Sequence, residues 1–241
     1  MQEVEDIIAV DEAICIFIND EYYTTLITSP NMIRDLVIGH MICEGLIKSI
    51  DEVREIDRKP PKVLVSLNKE IFIDSMIQNR IGLITTACGQ SKLYDIKKLK
   101  ISLAQSLEIE PKIIFDISKE LNNRGTIFHQ TGGTHSALLS SIEGETLSFA
   151  EDVGRHNAVD KVVGFGTQQK YNMGKCILFC SGRLSSDLVI KAARCGIPII
   201  ASVAAPLESG IRIAEASGIT LISFVRGQRM NVYTHPQRII M

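Results

Sequence analysis

Strand-like and helix-like segments alternate along the second half of the chain, and this order constrains the fold more than any other feature. The apolar run Lys175-Cys-Ile-Leu-Phe-Cys180 is typical of a strand buried on both faces. Helix-like and strand-like segments follow it in turn, with short connections, as far as Val225. Such alternation predicts a three-layer α/β domain in which neighbouring strands run parallel.

The periodicity of apolar residues predicts the individual elements. In the second half these are strands at about 135–142, 145–150, 175–180, 197–203 and 219–225, and helices at about 111–122, 155–168, 185–195 and 207–217. In the first third they are strands at about 5–10, 13–19, 21–27 and 63–67, and a short helix near 70–77. A further helix is predicted to start at Pro30, with Ser29 as its N-cap, and to end near Gly45. We therefore expect an α+β N-terminal domain over residues 1–110 and an α/β domain over residues 111–241.

Composition excludes several classes of function. The 241 residues carry a net charge of −2, which does not favour binding to nucleic acid through bulk charge. No apolar run approaches the roughly 20 residues of a membrane-spanning helix. The start, Met1-Gln-Glu-Val-Glu-Asp, is acidic where a signal peptide is basic. We expect a cytoplasmic protein that contacts neither membrane nor nucleic acid.

One of the six cysteines differs in its surroundings from the others. Cys88 lies in Thr85-Thr-Ala-Cys-Gly-Gln-Ser91, a segment without apolar periodicity, inside a loop at about 79–100 that we expect to be mobile. An exposed thiol followed by glycine, with lysines nearby, is a candidate nucleophile; the alternative is a chance cysteine without a chemical role. The remaining five lie in apolar strand-like or helix-like runs and are predicted to be buried: Cys15, Cys43, Cys176, Cys180 and Cys195.

The segment Glu151–Gly164 predicts a helix with unusually dense polar chemistry at its start. One stripe is apolar and is expected to face inward. Arg155 and His156, beside the free N–H groups of the first turn, are suited to holding an anion. The alternative is a solvated helix face. The polar side is formed by Asp152, Arg155, His156, Asn157 and Asp160, and the apolar stripe by Ala158, Val159, Val162 and Val163.

Three glycine-containing segments lie at predicted ends of elements in the same half. They are Thr131-Gly132-Gly133-Thr134-His135, Ser181-Gly182-Arg183 and Phe224-Val225-Arg226-Gly227-Gln228-Arg229. Glycine lets backbone N–H groups approach a ligand, and arginine suits a diphosphate or a guanine edge. Each segment taken alone is also compatible with an ordinary turn or hairpin.

Together these blocks resemble, in order, the motifs of the formate dehydrogenase accessory sulfurtransferase (FdhD) family. The similarity covers nearly the whole chain. Its blocks are Thr28-Ser-Pro-Asn-Met-Ile-Arg-Asp-Leu-Val-Ile-Gly-His40 with Glu44-Gly45, Thr131–His135, Glu151-Asp-Val-Gly-Arg-His-Asn-Ala-Val-Asp-Lys161, Ser181–Arg183, and Phe224–Arg229 followed by Asn231-Val-Tyr-Thr-His-Pro236.

The resemblance implies a cytidine-deaminase-like fold for the α/β half and a specific activity. Cys88 would accept sulfur as a persulfide from a cysteine desulfurase and pass it to the molybdenum or tungsten cofactor of formate dehydrogenase. That cofactor, a bis(molybdopterin guanine dinucleotide), would be a bound substrate, and no catalytic metal or cofactor of the protein's own is expected. The resemblance also implies a homodimer. Residues implied to bind the cofactor are Thr131, Gly132, Gly133, His135, Arg155, His156, Ser181, Gly182, Arg183, Phe224, Val225, Arg226, Gly227, Gln228 and Arg229.

Two points qualify this reading. The family commonly has Cys-x-x-Cys in the loop, whereas this chain has Cys88-Gly-Gln-Ser91, which puts any mechanism needing a paired thiol in doubt. A non-catalytic cofactor-binding chaperone would use the same glycine and arginine segments without the cysteine.

Zinc-dependent deamination is excluded, because His156-Asn-Ala158 lacks the glutamate and Ser181–Ser185 lacks the cysteine pair that this chemistry needs.

Overall fold

The structure is a computed structural model that describes residues 5–68, 83–84, 90–91 and 107–240. Cys88 and the lysines that follow it lie outside the described residues, as does the helix predicted near 70–77. The strands are β1 (Glu12–Ile18), β2 (Glu21–Thr28), β3 (Val53–Lys59), β4 (Lys62–Leu67), β5 (Leu83–Ile84), β6 (Gln90–Ser91), β7 (His135–Ser141), β8 (Thr146–Asp152), β9 (Cys176–Cys180), β10 (Ile199–Ser202), β11 (Thr220–Arg226) and β12 (Arg229–Val232). The α-helices are α1 (Ile33–Glu44), α2 (Pro111–Arg124), α3 (Thr126–Thr131), α4 (Arg155–Gln168), α5 (Ser186–Arg194) and α6 (Glu208–Ser217).

The larger sheet has six strands in the order β12-β11-β10-β9-β7-β8. Strands β9, β10 and β11 run parallel, whereas β7, β8 and β12 pair antiparallel with their neighbours. All five residues of β9 are buried, as its unbroken apolar run predicts for a central strand. The predicted parallel core is therefore present, with antiparallel strands added at both edges.

Helices cover both faces of this sheet, which makes three layers. Alternate residues of β9 face opposite sides, so Leu178 packs with α4 and α5 while Phe179 packs with α2. This arrangement confirms the predicted mixed α/β class. The likeness to cytidine deaminases and the domain boundary at residue 110 stay predictions.

The smaller sheet has four strands in the order β2-β1-β4-β3, with β1 and β4 parallel and the other pairs antiparallel. Alternate residues of β1, namely Ile14, Ile16 and Ile18, are buried and share one apolar cluster with α1 and α4. A further antiparallel pair joins β5 and β6. Helix α1 thus connects the small sheet to the helical layer of the large one.

Helices α1 and α4 cross at unusually close range because glycine lies at the contact on both sides. A Cβ atom added to Gly39 would lie 1.7 Å from the Asp160 carbonyl oxygen, and one added to Gly164 would lie 1.9 Å from the Asp35 carbonyl oxygen. Any side chain at either position would force the helices apart. This crossing brings polar groups from the first third of the chain against the start of α4.

Two predictions for the first third are wrong. Residues 5–11 form no strand, and Ile7, Ile8 and Val10 are exposed. Helix α1 starts at Ile33 instead of Pro30, after Met32 as a left-handed N-cap with φ 51°. Ser29 does not cap it, because its backbone N–H donates to Asp152 and its hydroxyl accepts from the N–H of Val153. The predicted end at Gly45 is confirmed by its left-handed φ of 75°.

Within the described ranges, no helix has the length and apolarity needed to cross a membrane.

Candidate functional site

Strand direction gathers the predicted binding segments at one edge of the six-stranded sheet. The parallel strands β9, β10 and β11 all end there, β7 begins there, and β8 ends there beside the start of α4. Register confirms the alignment, since His135 pairs with Asp152 and Ser202 pairs with Cys180. Open α/β sheets bind ligands outside the carboxyl ends of their strands. We call this place the site edge, formed by residues 131–135, 152–156, 181–183 and 224–229.

Three of the predicted segments contact one another directly. His135 Nδ1 lies 3.2 Å from Ser181 Oγ, and the Ser136 N–H donates to the same Oγ at 3.0 Å. The Arg155 side chain passes over Gly182 so closely that an added Cβ would lie 2.7 Å from Arg155 Cδ. Glycine at this position therefore leaves the space that the Arg155 side chain occupies.

His135 is suited to neutral hydrogen bonding at this edge. Burial lowers the pKa of His135, and the neighbouring Arg155 guanidinium lowers it further, although Asp152 opposes this. The imidazole is therefore uncharged near neutral pH and can donate from one ring nitrogen and accept at the other.

Glu151 fixes the glycine loop and was not recognised from the sequence as a functional residue. Its carboxylate accepts from the N–H groups of Ile127 at 2.9 Å and Phe128 at 2.7 Å, and from the Thr134 hydroxyl at 3.1 Å. These bonds cap the start of α3 and hold both ends of residues 127–134. Gly132 and Gly133 remain exposed on this fixed support. The sequence feature that could have indicated Glu151 is its place as an acidic residue directly after the apolar residues of a strand.

The polar side of α4 is largely internal, which corrects the prediction that it faces a ligand or solvent. Asp152, Asn157 and Asp160 are buried. Asp152 accepts from the Ser29 N–H at 3.1 Å and from Asn157 Nδ2 at 3.0 Å, and it pairs with Lys161 Nζ at 2.6 Å. The sequence alone did not reveal that α1 and the small sheet cover this side of α4. Polar groups buried there are satisfied by one another, as buried charges must be.

Asp160 is the centre of a second buried cluster between α1, α4 and α5. Its carboxylate pairs with Lys191 Nζ at 2.6 Å and lies 3.0 Å from His40 Nδ1. Burial alone raises the pKa of Asp160, but the Lys191 ammonium and His40 outweigh it and lower the pKa overall. The carboxylate stays charged inside the protein, and this cluster serves helix packing.

His156 differs from these satisfied groups. Burial, with Lys191 and Arg155 nearby, lowers its pKa to about 3. Its Nε2 is buried without a hydrogen-bond partner among the described residues, as are the hydroxyls of Ser185 and Ser223. Each of the three lies within two residues of a site-edge segment. Unpaired buried polar groups are rare in folded proteins and are accounted for if a ligand or water completes them.

The segment from Phe224 to Arg229 is a hairpin with a distorted entry. Phe224 has a φ of 54°, which an aromatic residue rarely adopts, and the register between β11 and β12 shifts between Ser223 and Arg226. The turn itself contains Gly227 with φ 60°. Arg226 and Arg229 pair across the strands and are both exposed. A bulge of this kind re-aims side chains, here two guanidinium groups on one face of a hairpin.

The cysteines divide by exposure. Cys43, Cys176 and Cys180 are buried as predicted, whereas Cys15 and Cys195 are only partly buried. Burial raises the pKa of Cys180, the one beside the site edge, to about 11, and its thiol donates to the Gly182 carbonyl oxygen. Cys180 therefore stays protonated and is unsuited to nucleophilic sulfur chemistry. Cys88 lies outside the described residues.

Comparisons with known proteins agree on one family over nearly the full chain. The family model described as the FdhD/NarQ family matches residues 9–240. A protein named sulfur carrier protein FdhD from Sulfolobus acidocaldarius is 37% identical over 240 residues, which cover 98% of this chain and 92% of that relative. The protein of the same name from Bacillus subtilis is 33% identical over 245 residues, covering 99% and 92%.

A solved structure has the same fold. It is a crystal structure of a protein described as a formate dehydrogenase accessory protein from Desulfotalea psychrophila. The two align with a TM-score of 0.81 and 29% sequence identity, over 99% of this chain and 93% of the other.

Proposed function

Because the chain belongs to the FdhD/NarQ family, we propose that it carries sulfur for the maturation of formate dehydrogenase. The observation that supports this most is the site edge, where His135, Arg155 and the Ser181–Gly182 loop come together from three separate segments of the chain. Sulfur delivery to a cofactor needs both a mobile thiol and a place to hold the acceptor, and the site edge supplies the second.

The proposed carrier is the Cys88 thiolate. It attacks the outer sulfur of a persulfide on a cysteine desulfurase, and the desulfurase cysteine leaves as a thiolate. Cys88 then holds that sulfur as its own persulfide until the terminal sulfur passes to the acceptor, which supplies the two electrons that reduce it to sulfide while Cys88 leaves as a thiolate. Ser91, at the position where the family resemblance implies a second cysteine, cannot resolve the persulfide into a disulfide, so the proposal requires one thiol at a time.

The proposed acceptor is the bis(molybdopterin guanine dinucleotide) cofactor of molybdenum or tungsten, bound as a substrate. Its diphosphate groups suit the exposed backbone of Gly132 and Gly133 and the guanidinium of Arg155. Its guanine suits Arg226 and Arg229, which can each donate two parallel hydrogen bonds to a guanine edge. Uncharged His135 and the unpaired Nε2 of His156 are further hydrogen-bonding groups for it.

This role requires two protein partners: a cysteine desulfurase that donates the sulfur, and formate dehydrogenase, which receives the sulfurated cofactor. The family resemblance also implies that the protein forms a homodimer. The rival role is a chaperone that binds the cofactor without transferring sulfur. It would use the same site edge and have no need of Cys88.

One pair of variants separates the two roles. Cys88→Ala is introduced into a strain that lacks its own copy of such a protein, with Cys15→Ala as the matched control for loss of a thiol. Formate dehydrogenase activity is measured in cells, and guanosine diphosphate binding is measured on the purified protein. Sulfur transfer predicts that only Cys88→Ala abolishes the activity while both variants bind the nucleotide. Full formate dehydrogenase activity with Cys88→Ala would contradict sulfur transfer through Cys88 and favour the chaperone role.

A further inference from the structure

Two thiols meet where the C-terminal ends of α1 and α5 approach each other. Cys43 is the last residue but one of α1, and Cys195 directly follows α5. Their Sγ atoms lie 3.8 Å apart, although 152 positions separate them along the chain. The two sulfur atoms are in van der Waals contact, and a disulfide requires them to close to about 2.05 Å.

The surrounding backbone holds the two ends in register. Arg194 Nη1 donates to the Cys43 carbonyl oxygen at 2.7 Å, so the residue before one cysteine is bonded to the other. Gly45 lies two residues after Cys43, and a Cβ added there would lie 3.6 Å from Arg194 Nε. The thiol contact is therefore part of a packed junction between the helices.

The two thiols are unequal in accessibility. Cys43 is fully buried, with 0% of its surface exposed, and burial together with the adjacent Cys195 thiol raises its pKa well above the ordinary value. Cys195 is only partly buried. A reagent in solution therefore reaches Cys195 first, and Cys43 is placed to act second, on a sulfur already held by Cys195.

We propose that Cys43 and Cys195 form a modification site, a dithiol that a small-molecule disulfide oxidises to a covalent link between α1 and α5. The Cys195 thiolate attacks one sulfur of the reagent RS–SR, forming Cys195–S–SR and releasing RS⁻. Cys43 Sγ, held in contact with Cys195 Sγ, then attacks it while its own proton passes to the departing sulfur, forming the protein disulfide and releasing the second reagent thiol as RSH. Two electrons pass from the protein thiols to the reagent, and both protons end on the two released RSH molecules.

The link would tie together helices that lead to the site edge. Helix α5 begins three residues after Arg183, and α1 packs on α4, whose first residue is Arg155. Closing a chain segment of this length restricts the unfolded state, so oxidation should raise the melting temperature by about 5–10 °C. Reduction by dithiothreitol should reverse the shift.

The test uses the whole chain with Cys88→Ser, which removes the thiol at position 88. It is incubated with oxidised glutathione, digested with trypsin without reduction, and analysed by mass spectrometry. We expect a linked pair of peptides, residues 35–48 and residues 195–212, which separates on reduction. In the same background, Cys43→Ala should stop at a glutathione adduct on Cys195, and Cys195→Ser should give no adduct on Cys43.

The proposal fails if the dithiol protein keeps both thiols free, or if Cys195 accumulates the glutathione adduct without linkage to Cys43. It also fails if the dominant linkage involves Cys15. Each control variant retains one cysteine of the pair. If one variant misfolds, the other variant and the protein with both cysteines still decide the result.

Discussion

Asp152 and Lys161 form an ion pair that is wholly removed from solvent, with 2.6 Å between Oδ2 and Nζ and 0% exposure of either side chain. The pair joins the end of β8 to α4. Lys161 also donates to the Ser29 carbonyl oxygen and to Asn31 Oδ1, so it holds the segment before α1 as well. The polar residues Asp152 and Lys161 therefore link the two sheets inside the protein and do not face a ligand.

Removing the charge of Asp152 should destabilise the protein severely. Asp152→Asn leaves Lys161 buried without a counter-charge, and burial already lowers the pKa of Lys161. We expect a loss of about 3–5 kcal/mol in the free energy of unfolding, measured by urea denaturation at neutral pH. The matched control is Asp51→Asn, which breaks the exposed pair with Lys170 and should cost less than about 1 kcal/mol. Equal losses for the two variants would contradict a structural role for the buried pair.

His156 should make stability depend on pH. Its pKa in the folded protein is lowered to about 3, so in the range below about pH 6.5 the unfolded chain binds a proton that the folded protein refuses. The free energy of unfolding should therefore fall as the pH is lowered through this window. Above about pH 6.5, His156 does not reduce the free energy of unfolding. Between about pH 6.5 and pH 3, the free energy of unfolding falls by about 1.4 kcal/mol for each pH unit because of this residue.

The measurement is urea denaturation of the wild-type protein and of His156→Gln across this pH range. On acidification, the free energy of unfolding of the variant should fall less steeply than that of the wild type, by about 1.4 kcal/mol for each pH unit. His129→Gln removes an exposed imidazole and is the control, with a slope like that of the wild type. Identical slopes for wild type and His156→Gln would contradict a neutral, partly buried His156.

Gly182→Ala should disrupt the site edge without unfolding the protein. The new Cβ would lie 2.7 Å from Arg155 Cδ and 2.9 Å from Arg155 Cβ, so the arginine must move away from the Ser181 loop. We expect guanosine diphosphate binding to weaken about tenfold or more, as measured by isothermal titration calorimetry. Gly125→Ala is the control, because its Cβ would meet its neighbours at an ordinary 3.6 Å. Unchanged affinity in Gly182→Ala would exclude Arg155 from the binding site.

The sequence predicted the second half of the fold well because the signal there is local. A fully apolar strand such as β9, and the sharp periodicity of α4, leave few alternatives. The start of α1 was missed because Ser29 and Pro30 form a standard N-terminal signal, yet tertiary hydrogen bonds from Ser29 to Asp152 and Val153 override it. Residues 5–10 have strand-like composition but pair with no strand in the part of the chain that the structure describes.

The site was predicted in outline for a different reason. Ser181–Arg183 and Phe224–Arg229 lie at the ends of the parallel strands β9 and β11, so the predicted parallel core places both at one edge of the sheet. His135 reaches this edge because β7 runs antiparallel to β9, which the sequence did not predict. Which polar residues of α4 face inward was not predictable, because that depends on α1 crossing at Gly39 and Gly164. Glu151 was missed since its partners, the N–H groups at the start of α3, become visible only in three dimensions.

Sulfur transfer through Cys88 can be measured as the mass of the Cys88 peptide after the purified protein is incubated with a cysteine desulfurase and cysteine, without reductant. Sulfur transfer through Cys88 predicts a gain of about 32 Da on that peptide, reversible by dithiothreitol and absent in Cys88→Ala. An unmodified Cys88 beside a persulfurated desulfurase, or a gain on another cysteine alone, would contradict it.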